Sequence, residues 1–490
     1  MDLLLIRSND MKAVYGDTRK YAACEPPYWA GVIAAYARGQ GLKAGIIDAE
    51  AWDYSPEEVA VLVRKEKPVL VGMIVTGSNL SASTQKMKGA GLVCRAIKNC
   101  DKDIPIFMWG LHPSSLPERT LQEEEIDFVI KGEGLESITK LAIGVKGQNA
   151  DWGSIDGLYY KGEKKILGNS RINIADITNV PAPAWELLPM ERYFPHNWHL
   201  FGENKEHARG RYAVLATSLG CPYNCTFCAI SALFGVKKVR YFEIDEVMAQ
   251  IDLLVNKYQV KYIKMMDECF VLKADYVNKL CDKLIERNYD LNIWGYARID
   301  TVNEELLKKL KRAGIRWLAY GVESGSAKSL EGVAKGQFDN EKVKRVVKMT
   351  QDAGIYVLTD IMFGLPDDEM EDMEASFNLC RELNPEWINF YVTMPYPGSR
   401  LYEEYLANGE ELANDWIAYA QYSYECMPKG TKYLSPRQVL EYRDWAFNAF
   451  FKENDRYFMN MENKFGTEAV DDIKAMTRNK LRRKLLEENR

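Results

Sequence analysis

The sequence predicts an α/β protein in two parts. A doubly wound parallel sheet comes first, followed by an incomplete six-unit β/α barrel with a small helical C-terminal region. Three observations lead there. Short apolar runs alternate with amphipathic helical stretches over most of the first 400 residues. The alternation lapses over residues 146–210, a stretch rich in Gly, Asn, Asp and Pro that reads as a connector. Beyond it a strand–helix unit recurs about every 40 residues. The expected division is 1–145 for the sheet, 146–210 for the connector, 211–410 for the barrel and 411–490 for the helical region.

Composition narrows the class. With 47% apolar and 27% charged residues in 490, the chain is ordinary globular protein, so disordered and collagen-like classes are excluded. A net charge of −6 argues against binding to polyanions, so no nucleic-acid partner is expected. Of the ten cysteines, seven are scattered singly. That is no disulfide framework, and it fits a reducing, cytoplasmic setting. The first residues, Met1-Asp-Leu-Leu-Leu-Ile6, carry an acid and no basic run, and read as a first strand rather than a signal peptide. No stretch approaches the roughly 18 apolar residues of a membrane span.

The first strands are expected at Leu3–Ile6, Ala44–Ile47, Leu70–Val75, Ile104–Met108 and Phe128–Ile130. Helical stretches lie between them at Trp29–Gly39, Pro56–Lys65, Ser83–Lys98, Pro117–Glu124 and Leu135–Ile143. Ligands on such sheets bind over the carboxyl ends of the strands. The loops there include Thr76-Gly-Ser78-Asn-Leu-Ser-Ala-Ser83, Trp109-Gly-Leu-His112-Pro-Ser-Ser115 and Lys131-Gly132-Glu133-Gly134. Alone, these describe a generic small-molecule site. Glu123-Glu-Glu125 reads as a solvated helix face.

In the connector a hairpin is expected at Leu158–Ile166, across Lys161-Gly162. His196, His199 and His207 gather near its end with no acidic or thiol partner at metal spacing, which favours surface or substrate-gate positions over a metal site. Barrel strands are expected at Ala213–Thr217, Tyr262–Met266, Ile293–Tyr296, Trp317–Val322, Tyr356–Phe363 and Trp387–Val392. In the helices between, Ile244, Val247, Ile251 and Leu254 share one face, as do Leu306, Leu307 and Leu310. Catalytic groups of such barrels lie at the strand carboxyl ends. Polar residues collect there: Asp267 and Glu268 after the second strand, Arg298 and Asp300 after the third, Glu323 after the fourth. In the tail, Trp445, Phe447, Phe450 and Phe451 read as core or lid. The basic run Arg478–Lys484 reads as the solvated face of a helix.

The sharpest motif follows the first barrel strand: Gly220-Cys221-Pro-Tyr-Asn-Cys225-Thr-Phe227-Cys228. Three thiolates at C-x3-C-x2-C on one tight loop can ligate three corners of a four-iron cluster, leaving one iron open for a small molecule. Structural zinc needs a fourth ligand and a second pair, and none follows. The next cysteine, Cys269, reads with Cys281 as a packing residue.

This loop resembles the signature of the radical S-adenosylmethionine (SAM) superfamily, Phe227 included. The resemblance implies that Cys221, Cys225 and Cys228 hold a [4Fe-4S] cluster whose open iron chelates SAM. Reductive cleavage of SAM then yields a 5′-deoxyadenosyl radical. It also implies a low-potential electron donor such as flavodoxin or ferredoxin. By the same resemblance Asp267 or Glu268 takes the SAM amino group, Arg298 its carboxylate and Glu323 its ribose or amino end. The loops of the first sheet, as a set, resemble the cobalamin-binding domain that precedes many radical SAM domains, with a Rossmann-like fold. Thr76, Ser78, His112, Gly132, Glu133 and Gly134 are the implied cobalamin contacts. The D-x-H-x-x-G element that supplies a lower cobalt ligand is absent, so cobalamin without a lower histidine is expected, with His112 shaping its loop by hydrogen bonds.

Together the two resemblances imply a cobalamin-dependent radical SAM methyltransferase acting on an unactivated carbon of a small molecule or natural product. The rivals are rearrangement or cyclisation without methyl transfer, a vestigial cobalamin domain, a cluster-bearing electron-transfer or redox-sensing protein, and modification of tRNA or a peptide. No motif marks a catalytic side chain beyond the cofactor contacts.

Overall fold

Five buried apolar runs form the parallel part of the first sheet: β1 (Leu3–Arg7), β2 (Ala44–Asp48), β3 (Leu70–Val75), β4 (Ile106–Gly110) and β5 (Phe128–Ile130). The computed structural model describes residues 1–487 except 78, 149, 150, 236, 337, 338 and 453. The sheet runs β2-β1-β3-β4-β5 and then continues through β6 (Leu158–Lys161) and β7 (Ile166–Gly168), which are antiparallel. Helices Tyr28–Gly39 and Leu135–Gly147 pack together, and Pro56–Glu66 packs with Met87–Cys100. Right-handed crossovers place the two pairs on opposite faces. The hairpin expected in the connector thus belongs to the first sheet, which runs past residue 145. Pairing β6 with β5 satisfies what would otherwise be an open sheet edge.

The second half begins with β8 (Tyr212–Leu215), then a two-stranded ribbon of β9 (Ser218–Leu219) and β10 (Arg240–Tyr241). β11 (Tyr262–Met265), β12 (Asn292–Ala297), β13 (Ile315–Glu323), β14 (Tyr356–Phe363) and β15 (Trp387–Val392) follow. The main sheet is parallel and in chain order, β8-β11-β12-β13-β14-β15, open between its first and last strands. Helix Glu304–Arg312 shows why the units form. Asn303 caps it by accepting from Leu306 N at 2.9 Å, acids fill its first turn and bases its last, and Leu306, Leu307 and Leu310 are buried.

Charged side chains join the halves. Glu25, on the loop after β1, accepts from Tyr212 Oη at 2.9 Å and from Lys264 Nζ at 3.1 Å, all three buried. Glu133 forms a two-pronged pair with Arg240 of the ribbon, whose Nη1 also donates to Ala175 O at 2.7 Å. The C-terminal region clasps both. Trp416 donates through Nε1 to Glu123 Oε2 at 2.8 Å and lies 4.4 Å, ring to ring, from His112.

Two expectations are corrected. Arg483 does not sit on a solvated helix face: the helix Thr467–Thr477 ends first, and Arg483 is buried, bonding Asp444, Gln421 O and Ser423 O. A guanidinium offers five donors, and here three acceptors on neighbouring segments use them. His199 is neither on the surface nor at a gate. It is fully buried among aromatic rings, with Nε2 at 3.0 Å from Asn292 Oδ1, and burial pushes its pKa down to about 3.

Replacing Arg240 with Ala strands the Glu133 carboxylate, whose side chain is 1% exposed. The expected cost is about 3–5 kcal/mol near neutral pH. Without its cation the buried carboxyl titrates above its unfolded value, so the folded state binds the proton more tightly and the penalty shrinks as pH falls through that raised pKa. Denaturant unfolding of wild type and variant across pH 5–8 checks both the size and the sign.

Candidate active site

The cysteine loop is held from below by one carboxylate. Asp267, 2% exposed at the end of β11, accepts from Thr217 N at 2.9 Å, Thr217 Oγ1 at 2.6 Å and Ser218 Oγ at 2.6 Å. These bonds turn the chain out of β8 into the ribbon. Gly220 follows with φ +95°, and a Cβ there would meet Lys238 O at 2.4 Å, so the turn into Cys221 requires glycine. Farther along, Thr226 N donates to Val333 O at 3.0 Å and Leu401 N to Thr226 O at 2.9 Å. The Arg298 guanidinium stacks 3.7 Å over the Tyr223 ring.

Cys221, Cys225 and Cys228 are all partly exposed on this loop, whereas Cys24, Cys94, Cys269, Cys281, Cys380 and Cys426 are buried. Burial, and after it nearby charges including Glu268 and the neighbouring thiols, pushes the Cys228 thiol up to about 12. Burial also raises Cys221 and Cys225. Such a donor set favours its ionised form when a cation arrives to take it. Among the described residues no three His, Cys, Asp or Glu side chains converge as a single metal ion requires. A polynuclear cluster spreads its thiolates over separate irons, and the three thiols fit that group.

The carboxylates separate by role in the structure. Asp267 is saturated by the loop it supports. Glu268, one residue on, makes no hydrogen bond or ion pair among the described residues. Burial and then Asp267 push its carboxyl up to about 7, and its charge raises the thiols of Cys221 and Cys228. Arg298 spends its fork on Asp300, at 2.9 and 3.1 Å, and Nη1 on Lys335 O at 3.1 Å. Glu323 sits at φ +65°, next to a register shift between β13 and β14, and pairs with Lys335 Nζ at 2.8 Å. Lys335 is buried, and its charge lowers the Cys225 thiol against the raising effect of burial. Sequence reasoning missed Lys335. It arrives on a loop after the helix Ala327–Gly332, with no periodicity or spacing to mark it.

A cavity of about 670 Å³ lies where the three regions meet. Phe227, Cys228 and Glu323 line it from the barrel, and Tyr15, Asn79, Ser81 and Gln85 from the first sheet's loops. Of the implied cobalamin contacts, Thr76, His112, Gly132, Glu133 and Gly134 do not line this space. Thr76 borders a narrow adjoining cleft with Arg7 and Lys86. Ser78 lies outside the described residues. His112 Nδ1 is 3.1 Å from Thr84 Oγ1, and its pKa is driven down to about 3 by burial, so it is neutral. Gly132 donates to Ser114 Oγ at 3.0 Å, and Gly134, at φ +69°, begins helix Leu135–Gly147. Glu133 faces the barrel through Arg240. A corrinoid presents a broad apolar face fringed with amides. The amide and hydroxyl groups of Asn79, Ser81 and Gln85, on a wall shared with aromatic rings, fit it.

The chain matches the radical SAM superfamily over residues 215–380 and the B12 binding domain over residues 16–142. An uncharacterized methyltransferase of Pyrococcus horikoshii is 29% identical over 397 residues, covering 80% of this chain and 81% of that protein. The anaerobic magnesium-protoporphyrin IX monomethyl ester cyclase of Rubrivivax gelatinosus is 26% identical over 388 residues, 77% of this chain and 66% of the relative. Among solved structures, the radical S-adenosylmethionine methyltransferase TsrM of Kitasatospora setae superposes with TM-score 0.69 at 16% identity. The match covers 97% of this chain and 98% of that one, an agreement in fold.

The separation of Asp267 from Glu268 is testable. Asp267→Ala leaves Thr217 N without its acceptor inside the protein and is expected to cost about 3 kcal/mol. Bound iron per chain should fall with it. Glu268→Gln should leave both within error of wild type. Denaturant melts and iron analysis after anaerobic reconstitution read the difference.

Proposed function

We infer that this chain, which belongs to the cobalamin-dependent radical SAM enzymes, transfers a methyl group to an unactivated carbon of a small-molecule substrate. When bound, the [4Fe-4S] cluster, SAM and cobalamin supply one-electron hydrogen abstraction and a methyl donor. One observation carries the reading: a single cavity is walled by Cys228 and Phe227 on one side and by the strand-end loop Asn79–Gln85 on the other. Methyl transfer needs both chemistries to reach the same carbon, and loops opening on a shared space meet that need.

The chain's own residues then have distinct tasks. Cys221, Cys225 and Cys228 hold the cluster. Glu268, whose side chain has no hydrogen-bond or ion-pair partner among the described residues, receives the SAM amino group. Lys335 and Arg298 present positive charge to the SAM carboxylate, and Glu323, fixed by Lys335, faces the ribose. Asn79, Ser81 and Gln85 hold the corrinoid amides. The C-terminal residues Gln421, Tyr422 and Phe447 close the cavity and exclude water, which would otherwise quench a reactive carbon centre. A low-potential donor such as a flavodoxin or ferredoxin supplies the electron.

A second reading, cyclisation without methyl transfer, is favoured by the Rubrivivax relative's name. Product analysis separates the two. Protein purified without oxygen and loaded with cluster and cobalamin should convert SAM to both S-adenosylhomocysteine and 5′-deoxyadenosine. Cyclisation gives the second nucleoside alone, and formation of neither would end the enzymatic reading. Cys225→Ala should abolish both products and the cluster's visible absorbance.

A further inference from the structure

We propose that the substrate carries a positively charged nitrogen, seated against Asp360 and a surround of tyrosine rings on the barrel wall of the cavity. The inference rests on the reading of this cavity as the place where substrate meets the cofactors.

Asp360 lies in the middle of β14, a strand otherwise almost wholly apolar. The two-residue period puts Leu358, Asp360 and Met362 on one face, and all three line the cavity. Asn389 stands opposite it in register on β15 and donates through Nδ2 to Asp360 Oδ1 at 2.9 Å. Among the described residues nothing else bonds this carboxylate, and no cation pairs with it.

Apart from the exposed Lys480, the other charges on the cavity wall are matched among the described residues. Glu323 has Lys335 at 2.8 Å, Lys264 has Glu25 at 3.1 Å, and Asp444 has Arg443 at 2.7 Å and Arg483 at 3.0 Å. Lys480 stands exposed at the rim. Asp360 is thus an acid whose only partner among the described residues is a neutral amide; burial pushes its carboxyl up to about 7, and an incoming cation is what would hold it ionised there.

The rings identify that group further. Tyr15, Tyr296, Tyr391 and Tyr422 line the same cavity, from the first sheet's loop, β12, β15 and the C-terminal region. Tyr15 stacks on Tyr422 with ring centres 5.7 Å apart, and Tyr296 Oη is committed to Asn79 Oδ1 at 2.9 Å. Tyr296 and Tyr391 share the cavity wall with Asp360, and burial first, then the charge of Asp360, raises their phenols. A carboxylate among electron-rich ring faces recognises an ammonium better than a hydroxyl or an acid. SAM is itself a cation, but β14 stands four places from β8 in the sheet, and the carboxylates whose charge raises the Cys221 and Cys225 thiols include Glu268 and Glu323.

The test uses holoenzyme loaded anaerobically with cluster, cobalamin and SAM, titrated calorimetrically with phenethylamine, phenethyl alcohol and phenylacetate. The amine should bind about tenfold tighter than the alcohol, and the acid weakest. Asp360→Asn, which keeps the shape, should erase the amine's advantage. Equal binding of amine and alcohol by wild type overturns the proposal without any variant. So does an amine preference that survives Asp360→Asn, or a variant whose SAM affinity falls by the same factor. The nucleoside products of wild type test methyl transfer separately, so the two readings fail by different signs.

Discussion

The active cavity exists because two carboxylates of the first sheet are held by cations of the barrel. Glu25 reaches into the strands at Tyr212 and Lys264, and Glu133 reaches the ribbon at Arg240. Removing such groups from water is expensive, and only close partners offset the cost. Each pair therefore tolerates one placement of one sheet against the other. The strand ends on both sides are brought to a common space by these fixed points, and the cysteine loop takes its place from the same ribbon that carries Arg240.

Around the thiols the structure divides labour among groups of like charge. Asp267 and Glu268 are neighbours in sequence and alike in chemistry, yet one is consumed by three donors and the other by none among the described residues. The direction of each side chain decides this. Glu323 is paired with Lys335, whose carbonyl in turn accepts from Arg298. The result is that acidic and basic side chains stand beside the same loop, with Glu323 and Lys335 paired and Arg298 paired to Asp300.

Much of this could be read from the residues. The strands were legible because their apolar runs are short and regularly spaced, and the cysteine loop because its ligands sit within eight positions of each other. The hairpin Leu158–Lys161 and Ile166–Gly168 was legible as a hairpin, but its sheet partner was not, since pairing to β5 is a long-range contact. The positions of Lys335, paired with Glu323, and of Asp360, on the cavity wall, were illegible. The first sits on a loop without a pattern, and the second was a lone charge in a strand that otherwise reads as core. Arg483 and His199 misled for the opposite reason: polar residues near chain ends or in irregular segments suggest solvent, whereas here acceptors from distant segments enclose them. The division between Asp267 and Glu268 turns on a half-turn of backbone at a strand end, below what spacing encodes.

The gap between β8 and β15 has an implication for how the protein is made. Segments from both ends of the chain line the cavity, where Tyr21 meets Asn479. On a ribosome the early half can fold while the last hundred residues are still unwritten, so the nascent enzyme stands with its reaction chamber roofless. Assembly of the inorganic and corrin groups has an open door during that interval, and translation itself shuts it.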